Sequence, residues 1–555
     1  VPAAGRIRRR GPTPLLRAER LKKEPRLASK YDAIVIGAGH NALVCAAYLA
    51  RGGLKVLVLE AREEIGGATR TFELWPGVKV SRYSYMVSLL QSKIINELDL
   101  RRYGYRLLPN DGLFTPFEDG SHLMLWNEVS RTAAEIGRFS AADAKVYPEF
   151  DSKLNVVANT FRRLLWLTPP TLSPLSLRSA ADLLALAREV RLSGEGIYDL
   201  IDIMTMSVKD YVDDWFESDE IKAVLSYYSG IGHFAGPMSQ GTAYVLLHHL
   251  MGEGASAGGW GFVEGGMGTV SRTIAAAATQ HGVEIRTSVP VRRILVEKGA
   301  ARGVELETGE VIEARIVVSG ANAKTTFLGL VPQEELPSQF LRHIRTYRAK
   351  SSTFRVNLVL RGLPAYTAFD AAATGMVHPP YMHVAPSVEY LERAYDDAKY
   401  GGFSRHPYFT TVVPSLKDAT LAPAGLYVVN IFGGHAPYAL TGGWNDEARA
   451  ALFEAVLQAW ETFAPGVREL IVHHEIMVPP DLEALVGLPG GNIFHGNLDL
   501  DQIFIQRPAP KFADYRSPIR GLYQCGASTH PGGGVMGVAG HNAAREVLRD
   551  RRRFF

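Results

Sequence analysis

Cysteine is almost missing from this chain: Cys45 and Cys525 are its only two in 555 residues, and no C-x-x-C or C-x-x-x-x-C pair exists. That absence excludes the dithiol chemistry of disulfide reductases and argues against a disulfide-stapled secreted scaffold. Both cysteines sit in apolar runs, where the thiol serves as a small buried hydrophobe. Long hydrophobic runs are missing too. No stretch reaches the roughly 18 apolar residues that a membrane-crossing helix needs. No internal repeat occurs, which argues against solenoids and propellers.

Charge of one sign is scarce overall but not locally. The formal net charge is +3, yet residues 1–30 hold ten Lys or Arg against Glu19 and Glu24, a net +8 that leaves −5 for the remainder. Arg6, Arg8, Arg9, Arg10, Arg17 and Arg20, interleaved with Leu15, Leu16 and Leu21, read as an organellar transit peptide, and they predict a mitochondrial matrix protein. Four prolines within the tail limit it to short helical pieces. A plain basic arm is the alternative. Nothing in the rest predicts a nucleic-acid partner. With 46% hydrophobic and 21% charged residues the chain has an ordinary globular composition, and its length predicts two or more units around a sizeable core.

What is abundant is glycine at two places. Residues 32–36 form an apolar strand, followed by Gly37, Gly39 and Ala42 in G-x-G-x-x-A spacing and a helix from about His40. Gly37 permits the tight turn, Gly39 lets backbone approach a pyrophosphate, and Ala42 is small enough for helix and strand to touch. The positive end of the helix then faces the phosphates. A second strand, residues 56–59, ends in Glu60, 18 positions past Ala42, where a carboxylate accepts hydrogen bonds from a ribose diol. The second glycine-rich segment, residues 521–544, reads as a buried strand to Cys525, then Gly526 and a Pro531-Gly532-Gly533-Gly534 turn, then a helix from about Val535 to Arg549.

Between them, residues 260–286 read as a glycine turn, a helix and a strand, and residues 289–296, 301–306 and 311–317 as a β-meander. Gly266-x-Gly268 is not a second dinucleotide fingerprint, because Ser271 holds the third-glycine place. The expected architecture is mixed α/β, a discontinuous Rossmann-like domain from residues 31–110, 255–330 and 485–550. Residues 111–254 and 331–484 supply an inserted substrate or cap domain of helices plus a mixed sheet. Leu164, Leu165, Trp166, Leu167, Leu172, Leu175 and Leu177, broken by prolines, read as core, as a peripheral docking face for the inner mitochondrial membrane or its proteins, or, with Leu183, Leu184 and Leu186, as an apolar passage for substrate.

The ordered set of SRYSYMVSLL from Ser81, DWFESDEIKA from Asp214, YVLLHHLMG from Tyr244, WGFVEGGMG from Trp260, LPGGNIFHG from Leu488 and GASTHPGGGVMG from Gly526 resembles the phytoene-desaturase-like branch of FAD-dependent oxidoreductases. EAREEIGG, with Arg62, Gly66 and Gly67, is similar to the extended FAD fingerprint of glutathione-reductase-like flavoproteins. The resemblance implies one noncovalently bound FAD. It assigns the cofactor to Gly37, Gly39, His40, Asn41 and Ala42, to Glu60 and Arg62, and to Gly66, Gly67, Ala68 and Thr69. It adds Val291 beside the adenine, Ser319 near the nucleotide, and Gly526, Ala527, Gly534, Val535 and Met536 at the flavin. The closing helix would aim its amino end at flavin N1 and O2, where reduction places charge. Two positions depart from the common pattern: Ala42 stands for a third glycine, and Ala527 stands where many flavoproteins place an Asp on the ribityl chain.

FAD itself accepts hydride, so the protein adds orientation, electrostatics and at most one base. His530, within the closing motif, is the catalytic candidate, with a purely structural hydrogen-bonding role as its equal; His495 and Tyr85 rank below it. His248 and His249 are poor metal ligands, because adjacent helical residues point about 100° apart, and no metal is expected. Three functions follow from these readings. The first is hydride removal from an apolar C–H substrate or an amine, with oxygen, a quinone or an electron carrier reoxidising the flavin. The others are a redox-neutral flavin isomerase and a flavin-binding regulatory or structural protein.

Overall fold

The computed structural model describes residues 30–172, 177–189, 195–252 and 259–554. The basic tail through Ser29 and Leu175 of the leucine-rich stretch lie outside these. A five-stranded parallel sheet organises one side of the molecule, in the order Leu522–Gln524, Ile316–Ser319, Ala33–Ile36, Val56–Leu59 and Glu284–Arg286. Its inner strands read AIVI, VLVL and IVVS and are buried at every position. Continuous branched runs of this kind suit parallel strands covered on both faces. Ala33–Ile36, the helix His40–Arg51 and Val56–Leu59 make one βαβ unit, with Ala33 opposite Val56 and Ile36 opposite Leu59.

Helices Gly268–Gln280 and Val538–Asp550 pack against His40–Arg51. Cys45 and Cys525 are both free and fully buried in the cluster between these helices and the sheet. Their role is packing. Val291–Glu297, Ala300–Leu306 and Val311–Glu313 form a three-stranded antiparallel sheet beside the nucleotide fold. The expected third strand of the meander, residues 311–317, divides in two. Its second half, Ile316–Ser319, enters the parallel sheet between Ala33–Ile36 and Leu522–Gln524.

The remaining large sheet has seven strands in the order Ile471–Met477, Thr353–Leu360, Tyr427–Gly434, Tyr408–Val412, Tyr381–Val384, Gly112–Pro116 and His122–Trp126. It is mixed, because Tyr381–Val384 runs parallel to Gly112–Pro116 and every other pair is antiparallel. Strand Thr353–Leu360 shows how the sequence builds it. Alternate residues Phe354, Val356, Leu358 and Leu360 enter a core around Trp460, while Thr353, Arg355, Asn357 and Val359 point the other way. A helical group that includes Ala141–Leu165, Glu195–Thr205, Asp219–Ser226 and Ala243–Leu250 leans on this sheet. Ser140 caps the longest of them by accepting a hydrogen bond from the Asp143 amide at 3.1 Å. Among the described residues no helix is long and apolar enough to cross a membrane.

The closing helix begins at Val538, three residues later than the sequence reading placed it. Val535 and Gly537 have φ of +57° and +76°, conformations that a right-handed helix cannot include. The extra residues form a loop. Within the helix, Gly540 lies so close to the opening helix that a Cβ would stand 2.0 Å from the Asn41 carbonyl oxygen. Gly540→Ala should therefore destabilise the protein by about 1 to 3 kcal/mol through overpacking, although Ala is the better helix former by about 1 kcal/mol. Thermal melting checks this, and an unchanged or raised midpoint would contradict it.

Candidate functional site

The opening turn behaves as its residues demand. Gly37 adopts φ +88°, and Gly39 caps the helix His40–Arg51 without any side-chain hydrogen bond. The EAREEIGG segment folds back over this turn. The Gly66 amide donates to the Ala38 carbonyl at 2.8 Å, and a Cβ on Gly67 would stand 3.5 Å from the Gly39 Cα. Ala42 packs on Gly320, where a Cβ would come within 2.7 Å of the Ala42 methyl. A Cβ on Gly526 would stand 2.6 Å from the Gly320 carbonyl oxygen. The three strand ends thus converge.

Glu60 is buried and accepts the Ala38 amide at 2.7 Å on one oxygen and the Arg62 amide at 3.0 Å on the other. Each carboxylate oxygen retains a further lone pair for a ribose hydroxyl. The Arg62 guanidinium reaches away, donating to the Leu485 carbonyl at 3.1 Å. Thr69 is fully buried and shares a 2.5 Å hydrogen bond with Ser271, and Ser319 shares one of 2.7 Å with Thr326. Both hydroxyls are engaged within the protein. Val291 begins the three-stranded sheet, paired with Leu306.

Beyond the turn opens a cavity of about 130 Å³. His40, Ala68, Ala527, Gly533, Gly534 and Val535 line its nucleotide side. Tyr85, Leu89, Trp260, Phe432, Leu482 and Phe494 line much of the rest, with Arg355, His249 and His495 among them. Met536 turns into the core with Leu89 and Val538. Burial keeps the three histidines neutral, holding His40 and His249 at about 4 and His495 at about 3. His40 Nε2, Asn41 Oδ1 and His495 Nδ1 are buried without a hydrogen-bond partner. A glycine cradle at a helix N-terminus, a buried carboxylate with lone pairs to spare and buried unsatisfied polar atoms fit FAD.

His530 is not in that wall. Its Nε2 lies 3.1 Å from the Leu164 carbonyl and its ring stacks edge-on against Phe504, so its role is to hold the turn. The lower-ranked His495 and Tyr85 are the ones that face the cavity. Nor do Leu164, Leu165, Leu167 and Leu172, or Leu183, Leu184 and Leu186, line it as a passage. Leu165 and Trp166 instead offer their carbonyls to Asn542 at 2.8 Å and Arg545 at 2.6 Å on the closing helix. Leu172 and Leu184 are about half exposed.

Two arginines escaped the sequence reading. Arg507, fully buried, donates to the carbonyls of Phe494 at 2.6 Å, Asn497 at 3.1 Å and Ala527 at 2.9 Å, tying the cavity's loops together. Arg355 lies in the cavity wall. A charged residue on an otherwise hydrophobic strand, TFRVNLVL, was the available signal for it.

Residues 35–93 match the NAD(P)-binding Rossmann-like domain, and residues 106–354 match the flavin containing amine oxidoreductase family. The rat pyridine nucleotide-disulfide oxidoreductase domain-containing protein 2 is 39% identical over 94% of both chains. The chain belongs to the phytoene desaturase-like family of flavin oxidoreductases. The lycopene-forming phytoene desaturase of Pantoea ananas is 25% identical over 93% of this chain and 98% of its own. Among solved structures, an oxidoreductase from Methanosarcina mazei has the same fold, with a TM-score of 0.60 at 15% identity over 93% of this chain and 99% of that one. As in the rest of this flavoprotein family, the cofactor is FAD.

Among the described residues, its two chain neighbours aside, nothing lies within 4 Å of where a Cβ on Gly39 would stand. Gly39→Val should accordingly cost the apoprotein at most about 1 kcal/mol, the scale of a changed helix cap, while abolishing FAD retention by filling the path of the pyrophosphate. Flavin absorbance after gel filtration, with melting of the flavin-free protein beside it, reads both effects. Full flavin retention by the variant would overturn the assignment.

Proposed function

We propose that this protein is an FAD-dependent oxidoreductase that removes hydride from a C–H bond of a largely apolar substrate. The observation that carries the reading is the wall of the cavity. Met86, Leu89, Ile231, Leu482, Ile493 and Phe494 supply its hydrocarbon, and among the described residues no Asp or Glu lines it. Binding there gains about 25 cal/mol for each Å² of apolar surface buried. An ammonium substrate would find no counter-charge and would meet the Arg355 guanidinium, an unfavourable pairing away from water. The phytoene desaturase relative, named for the hydrocarbon phytoene, supports the same preference.

Bound FAD supplies the hydride acceptor. The chain's own part is to exclude water, to hold the substrate and to keep stray protons away. Tyr85 and Phe432 stack with ring centroids 5.9 Å apart and form a flat wall against which a planar or extended substrate can lie. His40, His249 and His495 remain uncharged near neutral pH, so none of them adds charge around the reacting carbon. No histidine in this wall is poised near neutrality as a general base.

Anaerobic incubation of the oxidised holoprotein with a mitochondrial lipid extract, with polyamines and with NADH tests the reading. The lipid extract should bleach the flavin. Polyamines should not, and NADH should act far below ordinary turnover of roughly 1 to 1,000 per second. Bleaching by polyamines alone would replace the apolar substrate with an amine.

We also propose that the Arg-rich tail directs the protein to mitochondria, where an inner-membrane association would give access to apolar compounds. Residues 1–30 fused to a fluorescent reporter should carry it into the matrix. Cytosolic fluorescence would reduce the tail to a basic arm.

A further inference from the structure

Among the described residues, Arg355 is a buried cation without an anion. It is 2% exposed in the middle of strand Thr353–Leu360, between Phe432 and Met477 on the neighbouring strands, and its side chain lines the cavity. Nε and both terminal nitrogens lack any hydrogen-bond partner. The acid that faces the same strand, Glu475, is already committed. It takes both the Arg82 Nε at 3.0 Å and the Asn357 amide at 3.1 Å.

Two aromatic rings offset part of the cost, with the guanidinium carbon 4.2 Å from the Tyr85 centroid and 5.6 Å from that of Phe432. Rings accept none of the five N–H donors in the guanidinium plane. Burial lowers the Arg355 pKa to about 10, which still leaves it protonated at neutral pH. A buried, charged and unsatisfied donor set destabilises a fold unless something pairs with it. Here the open side is the cavity.

We propose that Arg355 receives the carboxylate of an amphipathic substrate whose apolar body fills the cavity. This rests on reading the cavity as the substrate site of an FAD-dependent oxidoreductase, and it narrows the substrate class from apolar compounds to apolar monocarboxylates. The guanidinium fork matches a carboxylate in two parallel hydrogen bonds. One charge is the right number. With the three cavity histidines neutral and no Lys in the wall, a doubly charged phosphate monoester would carry a surplus anion into apolar surroundings. Tyr85 and Phe432, which flank the guanidinium, would then flank the head of the substrate and orient its chain across the cavity.

The test uses oxidised holoprotein titrated with decanoate, 1-decanol, decyl phosphate and decylamine, with binding read from the perturbed flavin absorbance. Decanoate should bind at least about 30-fold tighter than decanol, the low end of what a desolvated charge pair contributes, and tighter than the phosphate, with decylamine weakest. Arg355→Met should remove the preference for decanoate over decanol, and Arg355→Lys should keep part of it. Equal binding of decanoate and decanol by the wild type would overturn the proposal while leaving the apolar oxidoreductase reading standing. So would an Arg355→Met variant that retains flavin with a shifted spectrum yet keeps the decanoate preference, because the guanidinium would then serve the cofactor. The wild-type comparison decides the matter even if the variants fail to fold. Conversely, decanoate preference without bleaching by any lipid would sustain the carboxylate site and overturn the oxidoreductase reading.

Discussion

Close backbone approach, with at most a methyl group between, is the contact on which this protein depends. Ala42 meets Gly320, Gly526 meets the carbonyl of Gly320, and Gly540 meets the carbonyl of Asn41. These contacts bring the ends of three neighbouring parallel strands and the two glycine-flanked helices to one point. A methyl group at Gly320, Gly526 or Gly540 would separate them. The opening glycine turn, the Glu60 carboxylate and the loop before the closing helix hold their relative positions because of this dense centre, and the cavity opens immediately beyond it.

On the far side of the cavity the seven-stranded sheet does different work. Its inner strands are buried on both faces, but one face of Thr353–Leu360 packs a hydrocarbon core while the other carries Arg355 and Asn357. Arg507 joins the two halves without entering either sheet, using its guanidinium as a backbone clamp from residues 494–497 to Ala527. Two buried arginines therefore have opposite fates. One has its terminal nitrogens satisfied by carbonyls and fixes a wall; the other meets only rings and leaves its donors facing the cavity.

The glycine fingerprints were legible because each glycine answers a steric demand local to its own turn. Strands 33–36, 56–59 and 353–360 were readable for a similar reason, since a continuous apolar run or a strict alternation admits few alternatives. The late start of the closing helix was not, because Val535 rarely adopts positive φ and only the surrounding fold imposes it. His530 looked catalytic by proximity in sequence to the flavin loop, yet its ring turns to the Leu164 carbonyl, 366 positions away. Arg355 shows the same limit from the other side. Its role depends on what is absent around it, and no pattern along the chain records the missing partner.

The order of the strands in the parallel sheet also has a consequence for biosynthesis. The opening helix emerges early, but the helix that covers it, Val538–Asp550, and the edge strand Leu522–Gln524 are made last. At roughly 5 to 20 residues per second, the first nucleotide-binding turn waits on the order of tens of seconds for its covering helix. During that wait Val44, Cys45 and Ala47, which end fully buried, lack part of their lining. A chain that terminates before residue 521 would contain every strand of the substrate sheet and still lack the edge strand, the flavin-side loop and the packing helix of the nucleotide fold. Cofactor capture is thereby tied to completion of synthesis, and a prematurely ended chain presents an uncovered helix face to quality control.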